Sequence, residues 1–168
     1  MEVKATVQLT TKELFSFLMY NTYSTIASFI WVLLSIGGFV GFFYMLGMPN
    51  VNPLYLAVLL GIGLLFTVIQ PIMLYFKAKK QIKKNEAINE SLQYTFSKAG
   101  IGITQGELSA FCEWVEIMKV TSNKSIIMLY TNRMHAYIIP KKDVAEGLDE
   151  LKQLIRENCD ASYIKLWK

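Results

Sequence analysis

The sequence predicts an α+β membrane protein: a two-helix transmembrane hairpin joined to a small antiparallel sheet or partial barrel that a C-terminal helix caps. Three observations predict it. From Leu14 to Phe76 there is no Asp, Glu, Lys or Arg, although the chain carries 17 basic and 13 acidic residues and is 53% apolar. A soluble core helix needs a charged solvent face, so a run this long points to lipid. Beyond the run, short segments alternate with the period of strands, and a single amphipathic stretch follows them.

In chain order, Val3, Ala5, Val7 and Leu9 alternate with Lys4, Thr6 and Gln8, which is the pattern of a half-buried strand. Thr10-Thr-Lys-Glu13 has the form of a capping box, so a helix starts there and runs to about Tyr20. Its aromatic residues and lack of further charge place it in the membrane interface. Residues 1–20 thus form a cytoplasmic strand and an interfacial helix, and 21–76 form the hairpin.

The spans are expected at about Ser24–Leu46 and Pro53–Phe76, each long enough at about 1.5 Å per residue to cross a hydrocarbon core of roughly 30 Å. Gly47-Met-Pro-Asn-Val-Asn52 between them supplies turn residues and no charge, which makes the helices antiparallel neighbours. Tyr20, Tyr23, Tyr44, Tyr55 and Tyr75 fall near span ends, where amphipathic rings settle. Lys77, Lys79, Lys80, Lys83 and Lys84 follow the second span, whereas the connecting loop has no lysine. The excess places both termini in the cytoplasm. No cleavable leader is expected, because the apolar segments are too long and the first has no small-residue cleavage site behind it.

Residues 77–92 read as a basic juxtamembrane connector, helical from Gln81 to Leu92, and 93–168 as a cytoplasmic domain. Gln93–Ser97 and Gly100–Gln105 bracket a Lys98-Ala-Gly100 turn. Leu108–Val120 holds one or two strands interrupted near Glu113-Trp114, and Ser125–Tyr130 with His135–Ile139 form a hairpin around Thr131-Asn-Arg-Met134. Pro140 ends the sheet. A helix from about Asp143 to Glu157 carries Val144, Leu148, Leu151 and Ile155 on one stripe, and Ala161–Lys168 is a short strand or packed tail. A small bent sheet leaves one mouth open and such a helix plugs it, an arrangement like that of pleckstrin-homology (PH) domains. The N-terminal strand then has a place in the same sheet, with the hairpin inserted between sheet elements.

Tyr94-Thr-Phe-Ser-Lys-Ala-Gly-Ile-Gly-Ile103, Trp114-Val-Glu-Ile-Met-Lys-Val120 and Tyr137-Ile-Ile-Pro-Lys-Lys142 resemble the YcxB-like family of bacterial membrane proteins. The resemblance runs through nearly the whole chain in element order. It implies a bacterial cytoplasmic-membrane protein with a PH-like cytoplasmic domain, and it brings no catalytic residues.

For function, the five lysines are candidates for binding anionic lipid headgroups, beside a plain topological role. Gly37, Gly41, Ala57 and Gly61 form small-residue spacings that either zip the hairpin internally or make a dimer seam. Pro71 after Gln70 predicts a kink, with Gln70 repairing the freed carbonyls or serving as a ligand site. His135 has no nucleophile or carboxylate partner by spacing, Cys112 and Cys159 fit no metal spacing, and no glycine loop cradles a phosphate. An enzyme, a cofactor and a nucleic-acid partner are not expected, and the net charge of +4 comes largely from the lysine cluster. The expected role is a membrane-anchored interaction module with a protein partner and lipid assistance. An oligomeric channel or an accessory subunit of a transport complex is the alternative.

Overall fold

The computed structural model describes residues 2–84, 90–132, 135–159 and 164–166. Residues 85–89 of the expected connector, Arg133 and Met134 of the turn, and residues 161–163, 167 and 168 of the tail lie outside the described residues. The helical connector expected to reach Leu92 is corrected, because Leu92 begins a strand. The chain divides into two compact units, Leu18–Lys79 and a second made of Met1–Phe17 with Lys80–Lys168.

In the first unit, α2 (Ile26–Leu46) starts at Thr25, whose hydroxyl accepts from the Ser28 backbone at 3.3 Å, an N-cap that satisfies one orphan donor. After the turn, where Asn50 sits at φ 62°, the Asn52 side chain accepts from Leu54 N at 2.9 Å. Pro53 then opens α3 (Pro53–Leu64) at a position where no N–H is needed. A π-helical turn, Leu65–Ile69, leads into α4 (Gln70–Lys84). Both α2 and the continuous helix Pro53–Lys84 are long and apolar enough to cross a membrane.

The expected kink at Pro71 takes the form of this π turn. Widening the ladder just upstream accommodates the missing N–H and the crowded Thr67 carbonyl. The repair is made by Tyr23, Ser35 and Thr67 rather than by Gln70. The Tyr23 hydroxyl donates to Phe66 O at 2.6 Å and the Thr67 hydroxyl to Gly63 O at 2.6 Å. Buried Ser35 donates to Ile62 O at 2.8 Å and accepts from Phe66 N at 3.3 Å.

The seam of the hairpin also differs from the expected one. A Cβ on Gly38 would lie 2.8 Å from Gly63 N and 2.9 Å from Leu59 O, and one on Gly63 would lie 2.9 Å from the Phe39 ring. Gly41 only touches the Leu59 side chain, while Gly37 and Gly61 face open space and Ala57 is exposed. Of the expected small residues only Gly41 faces the other helix, and the closest approach falls one residue along from Gly37, at Gly38, a turn of about 100°.

In the second unit, β1 (Val3–Val7) pairs antiparallel with β2 (Leu92–Phe96), Val3 opposite Phe96 and Val7 opposite Leu92. The N-terminal strand therefore belongs to the same sheet as the C-terminal segment, and the hairpin is an insertion between two paired strands. β3 (Ile101–Gln105) and β4 (Leu108–Cys112) complete the order β1-β2-β3-β4. A short 3₁₀ turn, Trp114–Glu116, leads to β5 (Lys119–Ser122), β6 (Ile126–Tyr130) and β7 (Ala136–Pro140). The second sheet has the order β7-β6-β5-β8, where β8 (Ile164–Lys165) lies parallel to β5, the one departure from antiparallel pairing among the described strands.

The core joins both sheets to the last helix: Val7, Phe96 and Ile101 from one, Val120, Ile127, Leu129 and Ile139 from the other, and Leu151, Leu154 and Ile155 from α5 (Leu148–Asn158). Each such side chain contributes about 1.5–3 kcal/mol by leaving water. The expected helix start at Asp143 shifts, because Lys141–Gly147 is a 3₁₀ segment with Val144 off helical angles. Trp114 anchors the fold as expected: it is buried, and its indole N–H donates to Ser97 O at 2.8 Å.

Candidate functional site

The five lysines follow from how α4 turns. Leu74 and Ala78 are buried and Ile82 half-buried, a stripe at four-residue spacing. Lys77, Lys79, Lys80, Lys83 and Lys84 are all exposed and lie on the opposite arc, which spans about 160° at 100° per residue. The ion pairs among the described residues are Glu2–Lys4, Glu13–Lys142 and Asp149–Lys152, so none engages this arc. The five ammonium groups thus lie on one side of α4.

The second feature is the attachment of α1 (Thr11–Tyr23). Thr10 and Glu13 form the expected box: Thr10 N donates to Glu13 Oε2 at 3.0 Å, its hydroxyl also donates to that carboxylate, and Lys12 N donates to the Thr10 hydroxyl at 3.3 Å. The same Glu13 is buried and reaches Lys142 Nζ at 2.9 Å. Burial pushes its carboxyl up, but hydrogen bonds from Thr10 and Lys142 and from the backbone outweigh that and hold it at about 2. Beside it, burial raises Asp143 while Lys142 pulls the other way. One turn on, Ser16 Oγ accepts from Asn123 Nδ2 at 2.9 Å, and the Phe17 ring lies 6.2 Å from that of Tyr130. The start of α1 is thus bolted to the β5–β6 turn, to β6 and to the segment after β7.

Among the described residues, those with catalytic potential are not gathered. His135 is exposed, and its backbone N donates to Asn132 Oδ1 at 2.7 Å. Burial pushes both thiols up, Cys159 to about 11, which keeps them protonated near neutral pH. Glu113 and Glu116 are exposed and cap the 3₁₀ turn, with Glu113 N donating to Glu116 Oε1 at 3.2 Å. Among the described residues no group of three or more His, Cys, Asp or Glu could hold a metal ion.

The sheet order, the buried Trp114 and the β6–β7 hairpin ending in Pro140-Lys-Lys142 place the three resembling segments in one fold. Residues 96–155, from the end of β2 into α5, match the family model described as YcxB-like protein. Over these residues the chain is similar to a YcxB-like domain. A relative in Bacillus subtilis (strain 168), named uncharacterized protein YcxB, is 29% identical over 108 residues, which is 63% of this chain and 58% of that protein. The chain therefore spans less than two thirds of that YcxB-like relative. No solved structure matches.

The family match begins at Phe96 and leaves out β1, α1 and the lysine arc. Glu13 was legible only as a cap, and its partner lies far along the chain. The pairing of Lys142 with it has no local signal.

Proposed function

We propose that this chain is a membrane-anchored interaction module of a bacterial cytoplasmic membrane. In this reading the segments Ser24–Leu46 and Pro53–Phe76 cross the bilayer as a hairpin, both termini lie in the cytoplasm, and the sheet unit docks a protein partner. The single observation that carries it is the insertion of the hairpin between β1 and β2, which are hydrogen-bonded neighbours. The sheet is joined to the hairpin through two strands that pair with each other. Exposed Ile26, Phe43 and Leu54 on the hairpin favour lipid as the surrounding medium, and the excess of lysine after the second span sets the orientation. Strands β1–β4 and β5–β7 followed by α5 favour a PH-like arrangement of the sheet unit.

The lysine arc then lies where headgroups are, each ammonium contributing about 1 kcal/mol against an anionic surface. The test is the full-length chain gently solubilised from membranes, as the native sequence and with the five lysines changed to Gln. Selective retention of anionic over zwitterionic lipid that disappears in the Gln set, together with a co-purifying protein, is the expected result. Equal lipid retention in both and no recovered protein overturn the reading. A second reading, an oligomeric channel or accessory subunit, draws on the open space beside Gly37 and Gly61. Single-molecule photobleaching in lipid that returns only monomers removes it.

A further inference from the structure

The far edge of β4 has no strand beside it among the described residues, since the sheet order ends there. Its pairing with β3 is continuous from Gln105 opposite Leu108 to Ile101 opposite Cys112, with no bulge. The opposite edge is different: β1 lies under the Lys141–Gly147 segment, close enough that a Cβ on Gly147 would come within 2.8 Å of Val3 Cγ1. Exposed edges are normally guarded by charge, proline or a bulge, because their N–H and C=O groups template pairing with other chains. Leu108-Ser-Ala-Phe-Cys112 contains no charge and no proline.

The same stretch concentrates the exposed apolar surface. Among the described residues outside the hairpin, the large apolar side chains that are exposed are Leu108 (76%), Phe111 (58%), Val115 (83%) and Met118 (57%), all within one short segment. The register puts Leu108 and Ala110 on the face of Ile103 and Ile101, and Ser109 and Phe111 on the other. The rim is acidic. Glu107 precedes the strand, and Glu113 and Glu116 follow it, all exposed. Lys119, the next basic residue, is turned to the Tyr130 ring, 5.6 Å from its centroid.

We infer that β4 is a docking strand for an extended apolar peptide segment with lysine or arginine at its ends, which adds as a fifth strand to the first sheet. Main-chain hydrogen bonds along β4 supply affinity, and the apolar side chains on the two faces select alternate residues of the guest. The acidic rim selects its flanks and sets the encounter rate. This deepens the interaction-module reading and rests on it, by naming the surface and the chemistry of the partner.

The test uses the full chain in zwitterionic lipid nanodiscs and a short peptide of alternating valine and threonine with lysines at both ends. A second peptide carries glutamates in place of the lysines. Amide exchange at residues 108–112 and the dissociation constant are read together. Saturable protection by the lysine-flanked peptide, with binding at least about tenfold weaker for the glutamate form, is the expected result. Ser109→Lys weakens the lysine-flanked peptide about tenfold, and Ser109→Glu leaves it as tight or tighter. No protection, or equal protection by both peptides, overturns the inference. Protection of the free chain that rises with protein concentration assigns the edge to a second copy, and protection by anionic lipid alone assigns it to the bilayer. Either also overturns it. Because these measurements use neutral lipid and leave the five lysines intact, their failure leaves the lipid-retention test of the broader reading standing.

Discussion

Changing Glu13 to Gln is expected to loosen the attachment of α1 to the sheet unit, and the loss must depend on pH in one direction. A carboxyl held at about 2 against an ordinary 4.5 corresponds to about 3 kcal/mol if the whole displacement counts. It does not all count, because the Lys142 end of the pair is 58% exposed and solvent weakens it. About 1–2 kcal/mol at neutral pH is the discounted expectation. The folded carboxyl is depressed, so its contribution is complete above 4.5 and is lost as pH falls toward 2. The assay is urea unfolding of the nanodisc-embedded chain, followed by the fluorescence of buried Trp114 with Trp31 and Trp167 replaced by Phe. The difference between native and Glu13→Gln chains is expected to be full at pH 7 and to close between about pH 5 and 2. A double-mutant cycle with Lys142→Met should return a coupling of about 1 kcal/mol. A difference that stays constant with pH, or a coupling below about 0.3 kcal/mol, refutes the reasoning.

Three other outcomes follow from contacts already described. Gly38→Ala should destabilise the hairpin by about 1–3 kcal/mol in a detergent titration, since its Cβ meets backbone atoms of Gly63 and Leu59, while Gly37→Ala and Gly61→Ala change it by less than about 0.5 kcal/mol. Ser35→Ala leaves Ile62 O and Phe66 N without the hydroxyl between them and should cost about 1 kcal/mol in the same titration. Trp114→Phe removes the indole bond to Ser97 O and should lower the stability of the sheet unit by about 1–2 kcal/mol in urea, read by circular dichroism.

How far the sequence reaches depends on whether a feature is local. Strands with period-two burial, the capping box at Thr10 and the Asn52-Pro53 helix start are written in neighbouring residues, and they sit where the pattern puts them. The seam of the hairpin is not local. Gly37 satisfies the spacing rule with Gly41, yet the contact face runs through Ser35, Gly38 and Gly41 and leaves Gly37 open. A hydroxyl that needs a partner inside an apolar helix is the better guide to that phase, and Ser35 carries it. The π turn needs the combination of Pro71 with Thr67 and partners on two other helices, which no spacing rule contains. The lysine arc was legible as a cluster, but its opposition to Leu74 and Ala78 depends on which face is buried. The exposed edge of β4 is illegible for a related reason: an apolar strand reads the same whether a neighbour covers it or not.

The pairing of β1 with β2 also sets an order of events during synthesis. Val3 and Phe96 lie about 90 residues apart, so the first strand made cannot pair until the whole hairpin has been synthesised. Until β1 pairs, the outer edge of β2 stands open, an unpaired template at the boundary of a half-built sheet. A chain in which β1 does not reach β2 keeps this edge open to pairing with other chains. Closing the first sheet thus depends on bringing together the two chain segments on either side of the hairpin.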